Sequence, residues 1–398
     1  MEDIQLHSFY YNSFFISNIY YEEYQYRFNF YYGLIDQLYK LELRDYCVKV
    51  MMDFFGVLDA RFTYDSKYLE IDKQNLFRVI KDKFDISIFH KYNWFFGSRN
   101  WIPCGEFVGG VQNFTLISWL DRMLVEHLEN ECKELDFKLK NNQYDWEQAF
   151  YQRLMRYFGL KVNNDSFEYL SRILPLNLLL RHRDNDIYIE SMMFGCAGFL
   201  ERDFEEDYPS LLKRDFKMLR SKFGLKVMPL SNWKFLRLRP PNFPTIRIAQ
   251  LAKIITKNGN MFSKIRDADD IQEIRDLFDV ELNSYWDNHF QFDKTSKVER
   301  RKILGKTAVD LIIINAIVPM LFYYGHTHSL ESYKEKAMSF LEQIEAEDNM
   351  IIRNFQNSGI VLQNAFQTQA ILYMYKYYCK RRRCLECRIY SVLSKSFF

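Results

Sequence analysis

The chain has 398 residues, a formal net charge of +2 and 27% charged residues. This length allows one large domain or two ordinary ones. Because the total charge is close to neutral, it is no evidence for nucleic-acid binding. Only the distribution of the charges along the chain can support such a function. Glycine (14) and proline (8) are few, which argues against a many-stranded sandwich and favours helices.

Residues 1–71 form an aromatic-rich segment whose Tyr and Phe clusters follow neither a helical nor a strand period. Aromatic side chains suit a pleated surface, so strands are one interpretation and a poorly folded start is another. The pattern leaves the fold of this small N-terminal piece open. Its acidic start lacks the features of a secretory leader, so we expect a cytoplasmic protein with reduced cysteines.

From residue 72 to 398 the pattern predicts a mainly α, irregular multi-helix domain without a fixed repeat. Asp145 with Gln148 has the spacing of a helix start, Asp165 with Glu168 repeats it, and Gly224 suits a helix end. The predicted helices cover about 115–138, 145–159, a run from 165, a run from 175, 185–200, 209–224, 269–282, 307–324, 330–344, 347–357 and a run from 361 into the tail.

The run 307–324 is apolar enough to suggest a membrane span. Asp310, Asn315 and Pro319 interrupt it, and it is shorter than the ~20 residues that a span needs. We therefore expect a buried core helix and no membrane association.

The most one-sided stretch is 231–266, which contains eight Lys or Arg and no Asp or Glu. Lysine and arginine neutralise phosphates, and the arginine fork makes bidentate contacts to them. The Asn-Phe-Pro-Thr sequence at 242–245 also predicts a helix N-terminus, whose free N–H groups attract anions. The candidate nucleic-acid or anion-binding residues are Lys234, Arg237, Arg239, Arg247 and Lys253.

Trp233 and Phe243 lie within this stretch and could stack on bases. The alternative is structural, because apolar residues interleave with every arginine. In that interpretation Arg237, Arg239 and Arg247 pair with acids of neighbouring helices and hold the fold together.

The C-terminal tail contains Cys379-x4-Cys384-x2-Cys387 among Lys and Arg at 380–383. Nearby cations lower thiol pKa values and favour metal binding. Zinc or an iron–sulfur cluster requires a fourth ligand, and Cys104 in a Pro-Cys-Gly loop is the best candidate. The alternative is that all of these thiols are reduced and carry no metal. The other cysteines have apolar or helical surroundings and are interpreted as core filler: Cys47, Cys132 and Cys196.

With these residues in view, residues 92–395 resemble an uncharacterised bacterial family, the domain of unknown function numbered 2851. The matching stretches occur in order along the chain and make the resemblance specific. They are Trp-Ile-Pro-Cys at 101–104, Trp-Leu-Asp-Arg at 119–122, Asp-Trp-Glu at 145–147, Leu-Arg-His-Arg-Asp at 180–184, Phe-Gly-Cys-Ala-Gly at 194–198, the basic stretches 233–240 and 242–251, 304–306, 315–319 and 378–387.

The resemblance implies an α/β region at the start of its members, similar to the Asp…Glu-x-Lys metal sites of restriction-type nucleases. This chain departs from that pattern, since 52–55 is at most a faint echo and 70–72 lacks the right neighbours. We therefore expect the N-terminal piece to be a missing or degenerate remnant of such a region, and we carry over no catalytic residue.

Three functions follow as hypotheses. The first is a helical protein that associates with DNA or RNA through its basic centre. The alternative is a non-catalytic helical scaffold or protein-interaction domain, in which Arg239→Ala would lower thermal stability sharply. A third, a metal-dependent hydrolase, requires a small sheet with clustered carboxylates.

Overall fold

A computed structural model describes residues 101–381 and 383–397. The predicted domain boundary at residue 71 and the aromatic-rich segment before it lie outside the described residues. So do Cys47 and the stretches 52–55 and 70–72. The architecture below is that of most of the predicted helical domain.

Helices make up most of the described chain, which confirms the mainly α fold class. The α-helices are α1 (Asn113–Asn141), α2 (Trp146–Phe158), α3 (Leu160–Ile173), α4 (Leu176–Leu180), α5 (Asp186–Cys196), α6 (Asp207–Phe223), α7 (Pro244–Asn258), α8 (Met261–Asp267), α9 (Ile271–Asp276), α10 (Lys306–Ile312), α11 (Val318–His328), α12 (Glu331–Glu342), α13 (Met350–Asn357), α14 (Ala365–Met374) and α15 (Arg388–Phe397).

Shorter elements connect these helices. The 3-10 helices are Val108–Gly110, Leu230–Asn232, Pro240–Asn242, Ser284–Asp287 and Cys384–Glu386, and the π-helical turns are Ile313–Ile317 and Tyr375–Cys379. In the described residues the sheet is two-stranded and antiparallel. It pairs β1 (His289–Gln291) with β2 (Lys294–Thr295), and His289 lies opposite Thr295.

Polar caps and a left-handed glycine set several helix ends. Asp145 precedes α2, and its carboxylate accepts a hydrogen bond from the backbone N–H of Gln148 at 3.0 Å. Gly224 ends α6 with a φ of 62°, a conformation that suits a residue without Cβ. Both predicted signals are confirmed. The start predicted at Asp165 is wrong, because Leu160, with a φ of 52°, already turns the chain from α2 into α3.

The apolar run predicted as one helix contains a π-helical turn between α10 and α11. Pro319 has no N–H to donate to the carbonyl oxygen of Asn315, one turn earlier. That oxygen instead accepts a hydrogen bond from Nε of buried Arg153 at 2.9 Å. The interrupted ladder therefore receives a side-chain donor from α2, and the π turn has an identifiable cause.

The combined helix Lys306–His328 is long and apolar enough to cross a membrane by length and composition alone. However, 78% of its apolar window is buried inside the protein, as in a core helix. Its carboxylate Asp310 is also paired, since Nη2 of Arg275 donates to it at 2.8 Å. The burial agrees with the expected core helix.

The described residues divide into two compact units. The central unit comprises 126–345 and 364–366. In it α2 packs on α3, α11 packs on α12, and α5 packs on both α6 and α7. The side chains of α5 are buried without interruption from Ile189 to Cys196, so this helix lies in the core of the central unit.

The terminal unit comprises 101–125, 346–363 and 367–397. Aromatic contacts organise it: Trp101 lies edge-on to Phe355 with ring centroids 4.6 Å apart, and Trp119 lies edge-on to Tyr378 at 5.5 Å. These pairs join the start of the described chain to its last helices within this unit.

Candidate nucleic-acid interface and cysteine cluster

Two side chains anchor the loop between α6 and α7. This loop contains the start of the stretch 231–266, which has no Asp or Glu. The indole Nε1–H of Trp233 donates to the carbonyl oxygen of Ala197 at 2.7 Å. The amide of Asn163 holds the backbone of Lys234 on both sides: the Lys234 N–H donates to Oδ1 at 2.8 Å, and Nδ2 donates to the Lys234 carbonyl at 2.9 Å. The middle of the loop is therefore held against other parts of the central unit.

The expectation that Trp233 stacks on bases is wrong. Its ring is 6% exposed and packs edge-on to Phe167 with centroids 5.0 Å apart. Phe243 is half-buried and lies edge-on to Phe235 at 5.1 Å. The hydrophobic effect favours the burial of Trp233 and the partial burial of Phe243, and their ring contacts help to anchor the loop.

From Lys234 onward, the loop exposes three cationic side chains. Arg237 has a left-handed φ of 65°, and beside it Leu236 is 81% exposed. The side chains of Lys234, Arg237 and Arg239 are also exposed, and none of them forms an ion pair with a residue in 101–381 or 383–397. The loop thus presents positive charge that the described chain leaves uncompensated.

Arg247, in the first turn of α7, is only 6% exposed and has no carboxylate among its described partners. Its Nη2 donates to Oδ1 of Asn242 at 2.7 Å, its Nη1 donates to Oε1 of Gln250 at 3.3 Å, and its Nε has no partner there. Burial lowers the pKa of Arg247 to about 10. Buried charges are usually paired, so an arginine held only by neutral amides marks a candidate anion site.

The structural alternative, in which Arg237, Arg239 and Arg247 pair with acids, is therefore wrong for the described residues. Lys253 behaves differently from these three, because its Nζ lies 2.5 Å from Oδ2 of Asp186. The candidate interface consequently reduces to Lys234 and the three arginines, with Lys253 already engaged by a carboxylate.

A second buried cation, which the sequence did not reveal, lies across Gln250 from Arg247. Nε2 of Gln250 donates to the carbonyl oxygen of Lys302 at 3.0 Å. The Lys302 Nζ donates to the carbonyl oxygens of Asp287 at 2.7 Å and Arg300 at 2.6 Å. The hydrogen bonds of the Lys302 ammonium group are therefore accepted by backbone carbonyl oxygens and not by carboxylates. A lysine in a polar stretch has no local pattern that would distinguish it.

Buried Glu190 and half-buried Glu206 belong to a cluster of acids and aromatic hydroxyls that the sequence did not indicate. Tyr208 donates its hydroxyl hydrogen bond to Glu190 at 2.7 Å, and burial raises the pKa of Glu190 to about 7. Tyr208 stacks on Tyr285, which donates to Glu206, and Glu206 lies 2.9 Å from Nε2 of His289. These partners are remote in sequence, so no spacing could have indicated them.

The four cysteines predicted to bind metal lie together in the terminal unit. Cys104 packs against Cys384, which is 8% exposed. Burial raises the pKa of Cys379 well above its usual value, and the neighbouring Cys104, Cys387 and Cys384 raise it further. Burial and the adjacent Cys387 raise the pKa of Cys104 to about 12. The structure therefore brings Cys104 next to a tail cysteine, and its role as a metal ligand stays a prediction.

Cys132 and Cys196 are buried in the central unit, in keeping with their interpretation as core filler. Across residues 101–381 and 383–397, no three His, Cys, Asp or Glu side chains are arranged as a ready metal site. The two short strands found there carry no carboxylate cluster. The described chain therefore offers no support for a metal-dependent hydrolase.

Comparison with known proteins identifies one family. The sequence profile of the family described as "Protein of unknown function (DUF2851)" matches residues 57–350. The match begins upstream of residue 92, includes the basic stretch, and ends before the tail cysteines. No curated protein and no solved structure matches the chain. Because the match covers more than half of its length, the chain belongs to this family of proteins of unknown function.

Proposed function

We propose that the chain binds nucleic acid, DNA or RNA, through the loop that carries Lys234, Arg237 and Arg239. The observation that carries the proposal is that these three exposed cations have no acidic partner among the described residues. Backbone phosphates would supply the missing anions, and such contacts provide most of the affinity of non-specific nucleic-acid binding.

The buried positive charge of Arg247 supports this proposal. Its hydrogen bond to Asn242 ties its guanidinium to the 3-10 helix that follows Arg239. Helix α7 begins at Pro244, so the positive end of its dipole adds to the positive electrostatic potential of Arg247. An anion at the exposed loop would therefore compensate a buried charge as well as the surface charges.

The proposal concerns binding and includes no reaction. A nuclease-like N-terminal region in relatives rests on the resemblance alone, and the corresponding positions of this chain lie outside the described residues. We also propose a cytoplasmic location, where nucleic acid is accessible and cysteines remain reduced.

The first test replaces the three exposed cations in the full chain. Lys234→Gln, Arg237→Asn and Arg239→Gln remove charge, and Asn is chosen at 237 because it tolerates the left-handed conformation. Fluorescence anisotropy with labelled duplex DNA, single-stranded DNA and RNA should show weaker binding. For duplex DNA, the slope of log K against log salt should become shallower by up to about 2.7, or about 0.9 per lost phosphate contact.

The control is a triple variant with the same change in net charge, from +2 to −1 after removal of three positive charges. Lys140→Gln, Lys213→Gln and Lys306→Gln alter exposed lysines that already pair with carboxylates. This variant should bind like the parent. Absence of binding to every nucleic acid at low salt, or equal weakening in both triple variants, contradicts the proposal.

The scaffold alternative makes a different prediction at Arg239. If this arginine were a buried strut, Arg239→Ala would lower the melting temperature sharply. Because the side chain is exposed, we expect the free energy of unfolding to change by no more than about 0.5 kcal/mol. If Arg239→Ala melts at the temperature of the parent but binds nucleic acid more weakly, the nucleic-acid proposal is supported. If its melting temperature falls sharply, the scaffold alternative is supported.

A further inference from the structure

The C-terminal tail places three cysteines on consecutive short elements of the terminal unit. Cys379 is the last residue of the π-helical turn, Cys384 is the first residue of a 3-10 helix, and Cys387 follows that helix directly. The backbone N–H of Cys387 donates to the carbonyl oxygen of Cys384 at 3.0 Å, which folds the two cysteines into a tight turn. The tail thus gathers thiols that are separated in sequence.

An ion pair between Arg383 and Glu386 stabilises the turn that carries Cys384 and Cys387. Nε of Arg383 donates to Glu386 at 2.9 Å, and its second hydrogen bond to the same carboxylate makes the pair bidentate. The guanidinium also lies 4.6 Å from the ring centroid of Tyr378. One cation of the basic tail is therefore used to hold the shape of the cysteine turn.

Cys104 completes the cluster from the other end of the described chain. The carbonyl oxygen of Cys104 accepts hydrogen bonds from the N–H groups of Phe107 and Val108, both at 2.9 Å. This turn presents Cys104 and Phe107 to Cys384. Cys104 therefore packs against Cys384, and Cys104, Cys384 and Cys387 all lie near enough to Cys379 to raise its pKa.

Cys387 directly precedes α15, which begins at Arg388. Burial raises the pKa of the Cys387 thiol, and the backbone N–H groups of Tyr390 and Ile389 oppose that shift. Cys387 is therefore a largely covered side chain next to the start of a helix.

We propose that Cys104, Cys379, Cys384 and Cys387 bind a metal centre with four thiolate ligands, either a zinc ion or an iron–sulfur cluster. The chemistry of the ligand set is common to both, because tetrahedral sulfur sites hold either. The cysteine side chains must rotate to reach ligand spacing, since no ready metal site exists among the described residues. Each thiol loses its proton to solvent as the metal binds. The centre would tie the C-terminal tail to the 101–107 turn.

The test measures metal in the full chain, purified without oxygen and without a metal-affinity tag. Elemental analysis, acid-labile sulfide and visible absorbance are compared for the parent and Cys384→Ser. About one zinc per chain in the parent, or iron with labile sulfide and a brown colour, supports the proposal if the variant loses it. The two outcomes distinguish zinc from the cluster.

Cys132→Ala is the matched control, because Cys132 is a buried cysteine of the central unit. It should retain the metal content of the parent. Equal metal in the parent and Cys384→Ser indicates adventitious binding and overturns the proposal. Absence of metal in the parent, also after anaerobic incubation with zinc or with iron and sulfide, overturns it as well.

A measurement on the parent alone covers the case in which Cys384→Ser fails to fold. Stepwise addition of p-mercuribenzoate should release the metal as four thiols react, and a chelating dye reports free zinc while the loss of visible absorbance reports the cluster. Release without thiol modification, or retention after all thiols have reacted, shows that the ligands are not cysteines and contradicts the assignment.

Discussion

Two buried arginines of the central unit show how partners decide the role of a residue. Arg153 is 2% exposed, and its charge is met by Glu131 at 2.6 Å and by the carbonyl oxygen of Asn315. Arg247 is nearly as buried, yet its described partners are the neutral side chains of Asn242 and Gln250. The first arginine is a structural strut, whereas the second keeps a charge that an external anion could compensate.

Glu190 carries the clearest pH dependence among the carboxylates of the described chain. Burial is the largest cause that raises its pKa from 4.5, and Asp186 adds to the rise. The hydrogen bond from Tyr208 and the charge of Lys253 oppose it, and the pKa reaches about 7. Because the folded-state pKa is raised, its stabilising contribution is complete below pH 4.5. It is lost as pH rises through about 7.

We therefore expect Glu190→Gln to remove this dependence. Between pH 5 and 8 the free energy of unfolding of the parent should fall, relative to the variant, by about 3 kcal/mol at most. Urea denaturation across this range measures the difference. Glu342→Gln, at an exposed position of α12, should retain the slope of the parent. Identical pH profiles for Glu190→Gln and the parent would refute this assignment.

At the scale of elements, the packing of α5 on α6 depends on a missing side chain. A Cβ built on Gly195 would lie 2.2 Å from the ring of Phe216, which is itself buried. The two helices can approach this closely only because position 195 has no side chain. The intrinsic helix preference of alanine, about 1 kcal/mol over glycine, is the opposing effect.

We predict that Gly195→Ala destabilises the protein by about 1–3 kcal/mol, because overpacking outweighs the gain in helix preference. Adding Phe216→Leu should recover part of the loss, so a double-mutant cycle will show non-additivity. Gly110→Ala serves as the control, since no described atom lies within 4 Å of its added Cβ. Denaturant midpoints give the values, and strictly additive losses would argue against the helix–helix contact.

At the scale of the whole molecule, the long apolar helix Lys306–His328 could either span a membrane or form part of the protein core. Most of its apolar window is covered by protein, and Asp310 within it is paired with Arg275. Both observations agree with a helix in the protein core.

We predict that the full chain stays in the supernatant after cell lysis and ultracentrifugation. Any portion that sediments should be released by alkaline carbonate, because it would be held by surface contacts only. Retention in the carbonate-washed membrane pellet would show that the apolar helix spans a bilayer and would overturn the proposed cytoplasmic location. A known integral membrane protein provides the control for the fractionation.

The sequence by itself determined the helical fold class, the family and several helix ends. Asp145 and Gly224 could be interpreted correctly because a cap acts on backbone groups within one turn of it.

Only the tertiary structure decided which charged and apolar side chains are covered and which meet a partner. Trp233 became a buried anchor, Arg239 remained exposed without a described acid, and Glu190 acquired its raised pKa from burial. Cys104 reached the tail cysteines from the opposite end of the described chain. Desolvation and pairing depend on groups that are distant in sequence, whereas helix preference and capping depend on near neighbours.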